Sequence, residues 1–225
     1  MKRILFTILL AIFLAAIPTY ASSKLNYKQI APLQKYDENG ALYTGCTAWA
    51  SLDHGQRVWV TAGHCVTNED NDPDVKTEYK IEGKKVTLIH FDGTLDVASL
   101  TGGPKTEPLL VSVSDAEIED GIRVVGYPFG MDGPIYNDGV IANPSQTPPG
   151  TRNKVPYAIY QVPVAPGSSG SPVLSQDGKT VVGMIQGMIC EGYWTGFCPV
   201  ARGLTTQNLR LFLTGQPDAA LALIP

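Results

Sequence analysis

Apolar and β-branched residues recur along this chain in short runs. "VWVTAGHCV", "KVTLIHF", "DVASL", "IRVVGY", "AIYQVPV" and "TVVGMIQGM" each have the length and composition of a β-strand. The turn formers "DENG", "LDHGQ", "DGT", "TGGP" and "QDGK" separate such runs. The 23 glycines and 17 prolines are spread throughout, which argues against long helices in the middle of the chain. Many short strands at this spacing predict an all-β sandwich or barrel. One helix is expected, in "LTTQNLRLFLTG". Thr205 or Thr206 can cap its N-terminus, Leu209, Phe212 and Leu213 share one face, and Gly215 can end it. No internal repeat, low-complexity tract or heptad pattern is present.

The first residues depart from this pattern. Lys2 and Arg3 precede a nearly unbroken apolar run from Ile4 to Ile17, followed by Pro18 and by small Thr19 and Ala21. This is the layout of a secretory signal peptide cleaved after Ala21. The run is too short to span a bilayer comfortably. The protein is therefore expected to be exported, to a periplasm or the medium, and free of the membrane after cleavage. The 225 residues fit one large domain or two small ones. A formal net charge of −4 gives no reason to expect nucleic acid or an anionic membrane as a partner. A monomer is expected.

Export gives the four cysteines meaning. An even number in an oxidising compartment predicts two disulfides. Three connectivities are possible, and the clustering favours Cys46–Cys65 and Cys190–Cys198, each closing a short loop. The spacing is not that of a metal site, and His54, His64 and His90 do not form ligand pairs in sequence. "TNEDNDPDVK" gathers oxygen ligands but lacks the glycine of an EF-hand loop, so it reads as a solvated turn. No metal and no cofactor is expected.

"APGSSGSPV", Ala165–Val173, could be only a flexible turn, or it could present a nucleophile. A serine hydroxyl needs a base within hydrogen-bond reach, and that base usually needs a carboxylate to orient it. His64 ends an apolar strand beside Cys65, which suits a rigidly held base. His54 sits in a turn, and His90 is expected at a surface or edge. Asp96 lies inside the apolar run "LDVASL", where an acid needs a partner. Asp92 has a turn role instead, and Asp37 and Asp53 show no strand context. The order His64, Asp96, Ser169 excludes an α/β-hydrolase, whose histidine follows its serine. It is the order of the chymotrypsin-like double barrel.

On these residues the chain resembles the trypsin-like serine peptidases. "TAGHC" is similar to the histidine motif, "LDVASL" to the aspartate motif and "PGSSGSP" to the serine motif. "VVGYPFGMDGPIYNDGVI" resembles the mid-domain strand pair of bacterial HtrA-type members. The resemblance covers roughly residues 44–215. It implies two six-stranded antiparallel Greek-key β-barrels, at about 22–105 and 106–215, a short C-terminal helix, and a tail over 216–225 without a PDZ-like module. It implies that His64 is general base, that Asp96 orients it, and that Ser169 forms an acyl-enzyme on a protein or peptide substrate. The backbone N–H groups of Gly167 and Ser169 would form the oxyanion hole. The pairing Cys46–Cys65 matches the family's disulfide beside the histidine.

Departures are informative. Ser168 replaces the aspartate that pairs with a freed N-terminus in digestive members, so no such activation switch is expected. Ser171 replaces a glycine. By the resemblance, Pro163, Val164, Ile185, Gln186 and Gly187 would line the substrate pocket. They include no carboxylate, so a small or apolar residue is expected before the scissile bond. The loop 190–198, with Tyr193, Trp194 and Phe197, could edge the cleft. The alternative function is a non-catalytic binding protein on the same fold.

Overall fold

The computed structural model describes residues 27–37, 39–74, 76–147, 155–190, 196 and 198–216. The signal-peptide reading, the aromatic residues Tyr193, Trp194 and Phe197, and the tail beyond Gln216 lie outside the described residues.

Six antiparallel strands close the first barrel: β1 (Ile30–Tyr36), β2 (Leu42–Asp53), β3 (Gln56–Ala62), β4 (Glu78–Ile81), β5 (Lys84–Asp92) and β6 (Val97–Gly102). Their order around the ring is β1-β2-β3-β6-β5-β4, and β4 pairs back onto β1. Local sequence sets two of the turns. His54 and Gly55, at φ 48° and 81°, join β2 to β3; Glu82 and Gly83, at 48° and 74°, join β4 to β5. Left-handed residues at both positions match the twist of a two-residue hairpin.

After β7 (Leu110–Val111), six strands build the second barrel: β8 (Gly121–Gly126), β9 (Ile135–Gln146), β10 (Tyr157–Val164), β11 (Pro172–Ser175), β12 (Thr180–Ile189) and β13 (Cys198–Thr205). They run β11-β8-β9-β10-β13-β12, and β11–β12 pairing closes the ring. Every pairing in the two rings is antiparallel. Strand β7 is an addition to the expected count: it extends β12 in parallel through Leu110 and Val111. A two-residue strand is too short for pattern reading to detect.

Alternation fills both interiors. In β10, Ala158, Tyr160, Val162 and Val164 point inward and meet Ile122, Val124, Ile141, Val173 and Ile185. Trp49, Leu33, Ile81, Val60 and Leu100 fill the first barrel. Helix α1 (Thr206–Thr214) follows β13, with Thr205 accepting from the Asn208 N–H at 3.1 Å and Gly215 at φ 71° as its left-handed cap. Leu209, Phe212 and Leu213 are its buried face, as the pattern predicts.

The helix docks on a polar clamp that sequence reading missed. Asp53 ends β2, contrary to its expected lack of strand context, and is only 5% exposed. Its carboxylate accepts from Ser99 Oγ at 2.6 Å and bonds the Nδ1 atoms of His54 at 2.7 Å and His90 at 3.2 Å. His90 lies in β5 beyond the stretch that pairs with β4, opposite Ser99 of β6, and its partly exposed ring stacks on Phe212 at 4.1 Å between centroids. The His54 N–H donates to Leu213 O at 2.8 Å. Asp53→Ala leaves Ser99, His54 and His90 without their shared acceptor. Chemical denaturation is expected to show a loss of about 3 kcal/mol, and a loss below about 0.5 kcal/mol would refute the clamp.

Candidate active site

The site forms at the seam between the barrels. Strand β3 ends at Ala62, and a single 3-10 turn, Gly63–Val66, carries His64. Cys65 on that turn is bonded to Cys46 on β2, which fixes the turn to the barrel wall. Glycine at 63 is required by closeness: a Cβ there would lie 2.9 Å from Val97 N and 3.0 Å from Asp96 Oδ1. That approach lets Asp96 reach His64. Asp96 Oδ1 accepts the His64 backbone N–H at 2.7 Å, and Oδ2 lies 2.9 Å from Nδ1. Asp96 stands just before β6 with φ 52°, between buried Leu95 and Val97. Its carbonyl and that of Leu95 both accept from the Gln186 side-chain amide, a contact from β12 that bridges the barrels.

Thr47, next to Cys46, ties the serine loop to this frame. Its N–H donates to Ser169 O at 2.8 Å, and its hydroxyl donates to Gly167 O at 2.9 Å. The same hydroxyl accepts from the Tyr127 N–H at 3.0 Å. Gly170 presses against the strand: a Cβ there would sit 2.1 Å from Thr47 O and 3.0 Å from Ala62 N. The serine loop therefore packs against the end of β3, from which His64 projects. No hydrogen bond joins His64 to the Ser169 hydroxyl among the described residues. Catalytic hydrogen bonds are often long in ligand-free sites and tighten when substrate binds.

The backbone of Ala165–Ser171 sorts its donors. Ser168 N–H donates to Ala165 O, Gly170 N–H to Ile185 O and Ser171 N–H to Ser168 O. The N–H groups of Gly167 and Ser169 have no protein acceptor among the described residues. The Pro166 carbonyl accepts from Phe129 N–H at 2.6 Å. In a trans peptide the carbonyl and the following N–H point in opposite directions, and no peptide bond in the described structure is cis. The Gly167 N–H is thus turned away from the Tyr127–Gly130 segment. Gly167 holds φ 95°, a conformation that favours glycine. Ser168 is buried, and its hydroxyl accepts from Ala165 N at 3.2 Å, a local neutral role. Ser171 is fully buried, its Oγ packed into the space that a Cβ on Gly126 would need.

The cleft beside this frame is lined by His64, Asp96, Thr67, Asn71, Phe91, Gly93, Gln186 and Arg202. Thr67 and Asn71 come from the acidic segment, whose oxygens serve turns and ion pairs. Asn68 Oδ1 accepts from the Asp70 and Asp72 N–H groups, and Asp74 pairs with Lys35 at 3.2 Å. Burial pushes the Asp74 carboxyl upward, but hydrogen bonds from Thr77 and Lys35 outweigh it and hold the group below its ordinary value.

The pocket residues expected from the resemblance fare unevenly. Val164 and Ile185 are buried in the core of barrel two, so their side chains face away from solvent. Pro163 is exposed, and its carbonyl accepts from Asn137 Nδ2 at 2.9 Å. Gln186 does line the cleft, and Gly187 lies opposite Arg202 across β12–β13. Sequence reading missed Thr47, Phe91, Asn71 and Arg202. A lone arginine in "VARGL" carries no local signal. Both favoured disulfides are present, Cys46–Cys65 and Cys190–Cys198.

A double β-barrel with a His–Asp pair and a serine loop at its seam is the architecture of a chymotrypsin-like serine endopeptidase. The sequence matches the trypsin-like peptidase domain over residues 46–184, and the chain belongs to that family. Over 99 residues it is 31% identical to a "Probable periplasmic serine endoprotease DegP-like" of Pseudomonas fluorescens. That alignment takes in 43% of this chain and 20% of the relative, so the chain spans about a fifth of that protein's length. Among solved structures it is similar to the active form of the Rv3671c protease of M. tuberculosis, with TM-score 0.65 and 17% identity over 86% of this chain and 82% of that one. The HtrA-type protease AlgW with a decapeptide gives TM-score 0.66 and 15% identity over 83% of this chain and 63% of the other.

Proposed function

We propose that this protein is an exported serine endopeptidase that cleaves peptide bonds through His64, Asp96 and Ser169. The observations that support the reading are the Asp96–His64 pair, the packing of the serine loop against the strand end that carries His64, and Gly167 and Ser169 N–H groups that have no protein acceptor among the described residues. Ser169 Oγ attacks the scissile carbonyl carbon while His64 accepts the hydroxyl proton. The carbonyl oxygen becomes an oxyanion held by the two N–H groups. His64 returns the proton to the leaving amine as the C–N bond breaks, leaving an acyl-enzyme. Water, deprotonated by His64, then releases the acid and restores Ser169. Asp96 holds the Nδ1 side of the ring throughout.

Export is supported by the signal-peptide pattern, by the two disulfides and by the periplasmic description of the Pseudomonas relative. No described helix is long and apolar enough to cross a membrane. A non-catalytic binding role on the same fold is favoured by one observation, the missing His64–Ser169 hydrogen bond. Labelling separates the two. A fluorophosphonate probe should modify the mature protein, peptide mapping should place the adduct on Ser169, and casein should be degraded. A protein that is neither labelled nor active on casein or on a peptide library overturns the peptidase reading.

A further inference from the structure

The cleft beside His64 contains a cation with no partner among the described residues. Arg57, Arg123 and Arg210 are paired with Glu107, Asp138 and Asp115. Arg202 makes no ion pair or hydrogen bond with another described residue. It is exposed, and it lines the same cavity as His64, Asp96 and Gln186. Its position follows from β-sheet register. Ile185 pairs with Gly203 and Gly187 pairs with Arg202, so one residue, Gln186, is extra on β12. This irregularity belongs to the strand that sends Gln186 toward Asp96 and sets Arg202 opposite bare Gly187. Glycine at 187 keeps the space open: a Cβ there would lie 3.1 Å from Arg202 Nε.

We propose that Arg202 is a carboxylate-binding group of the substrate cleft, so that the peptidase prefers an aspartate or glutamate side chain close to the scissile bond. The proposal rests on the peptidase reading above. The chemistry is specific. A guanidinium offers a planar fork of donors that fits a carboxylate with two parallel hydrogen bonds. Within a cleft walled by protein, such a pair is screened less than on an open surface. The other charged side chains around the cleft narrow the choice. Asp96 is engaged by His64. Glu69, Asp70 and Asp72 ride on the exposed loop that supplies Thr67 and Asn71. That rim disfavours polyacidic peptides, so the preference is for one acidic residue at one position. The expectation of a small or apolar neighbour gives way to a charged one because Arg202, distant in sequence from the serine motif, enters the cleft only through β12–β13 pairing.

The test compares peptides identical except for Glu against Gln, at the position that a positional-scanning library picks out. With the native sequence, kcat/KM for Glu should exceed that for Gln by about 10- to 100-fold, the range of a charge-assisted hydrogen bond. In Arg202→Gln the ratio should fall to within about threefold of unity, and in Arg202→Glu a Lys peptide should overtake the Glu peptide. Because each ratio is taken within one protein, partial misfolding cancels. Binding of the same peptides to Ser169→Ala, read by fluorescence anisotropy, gives the ratio without turnover. Acidic selectivity in binding with no turnover sustains the subsite while the peptidase reading fails. Turnover or binding with no acidic selectivity at any position overturns the subsite and leaves the peptidase reading standing.

Discussion

Asp96→Asn should lower kcat by about 10⁴ with little change in KM or melting temperature. The reason lies in how Asp96 divides its oxygens. Oδ1 accepts the backbone N–H of His64 at 2.7 Å and lies farther from Nδ1, at 3.1 Å, while Oδ2 is the nearer partner of Nδ1 at 2.9 Å. Asparagine has one acceptor oxygen and one donor NH2. Keeping the backbone bond assigns its oxygen to His64 N–H and turns the NH2 toward Nδ1. Nδ1 must then accept, so the ring proton moves to Nε2. An Nε2 that already carries a proton cannot take one from Ser169. The reverse orientation restores the tautomer but sets an NH2 against the His64 N–H, two donors face to face. Steady-state kinetics on a peptide ester and amide, beside a thermal melt, would check this. A fall of less than tenfold, with the fold intact, would remove Asp96 from its proposed role.

Gly167→Ala should cost at least about 10²- to 10³-fold in kcat, the loss typical of one oxyanion donor. A Cβ at this position would lie 2.5 Å from Tyr127 O and 2.9 Å from Phe129 N. The φ of 95° adds a conformational penalty for any L side chain. Relief requires rotating the Pro166–Gly167 peptide or displacing the Tyr127–Gly130 segment. Either movement breaks the Phe129 N–H to Pro166 O bond that aims the Gly167 N–H. Substrate affinity should change much less, because the oxyanion exists only after attack. Turnover within threefold of the native rate would show that this N–H does not serve the reaction.

Motifs exposed the ends of the site, and register supplied its middle. "TAGHC" marks His64 because a strand, a tight turn and a cysteine are all local. Gly215 and the Leu209, Phe212 and Leu213 face at helical spacing announce α1 for the same reason, since caps and periodicity act over a few residues. Thr47 could not be found this way. It is an ordinary strand threonine until the serine loop folds onto it from 120 residues away. The Asp53 clamp was missed because its bonds run between β2, β5 and β6, and a carboxylate ending a hairpin strand is indistinguishable locally from a turn residue.

The sequence by itself determined the strand-rich class, the capped helix, the chain order of His64, Asp96 and Ser169, and the pairing of neighbouring cysteines. These follow from contacts and conformations that span a few residues, or from the order in which rare residue types occur. Only the tertiary structure decided which groups share a space: Gln186 on the Asp96 carbonyl, Pro166 held by Phe129, Arg202 beside Gly187, and Asp53 under the helix. Each depends on strand pairing or barrel packing, where a shift of one residue moves a side chain to the opposite face.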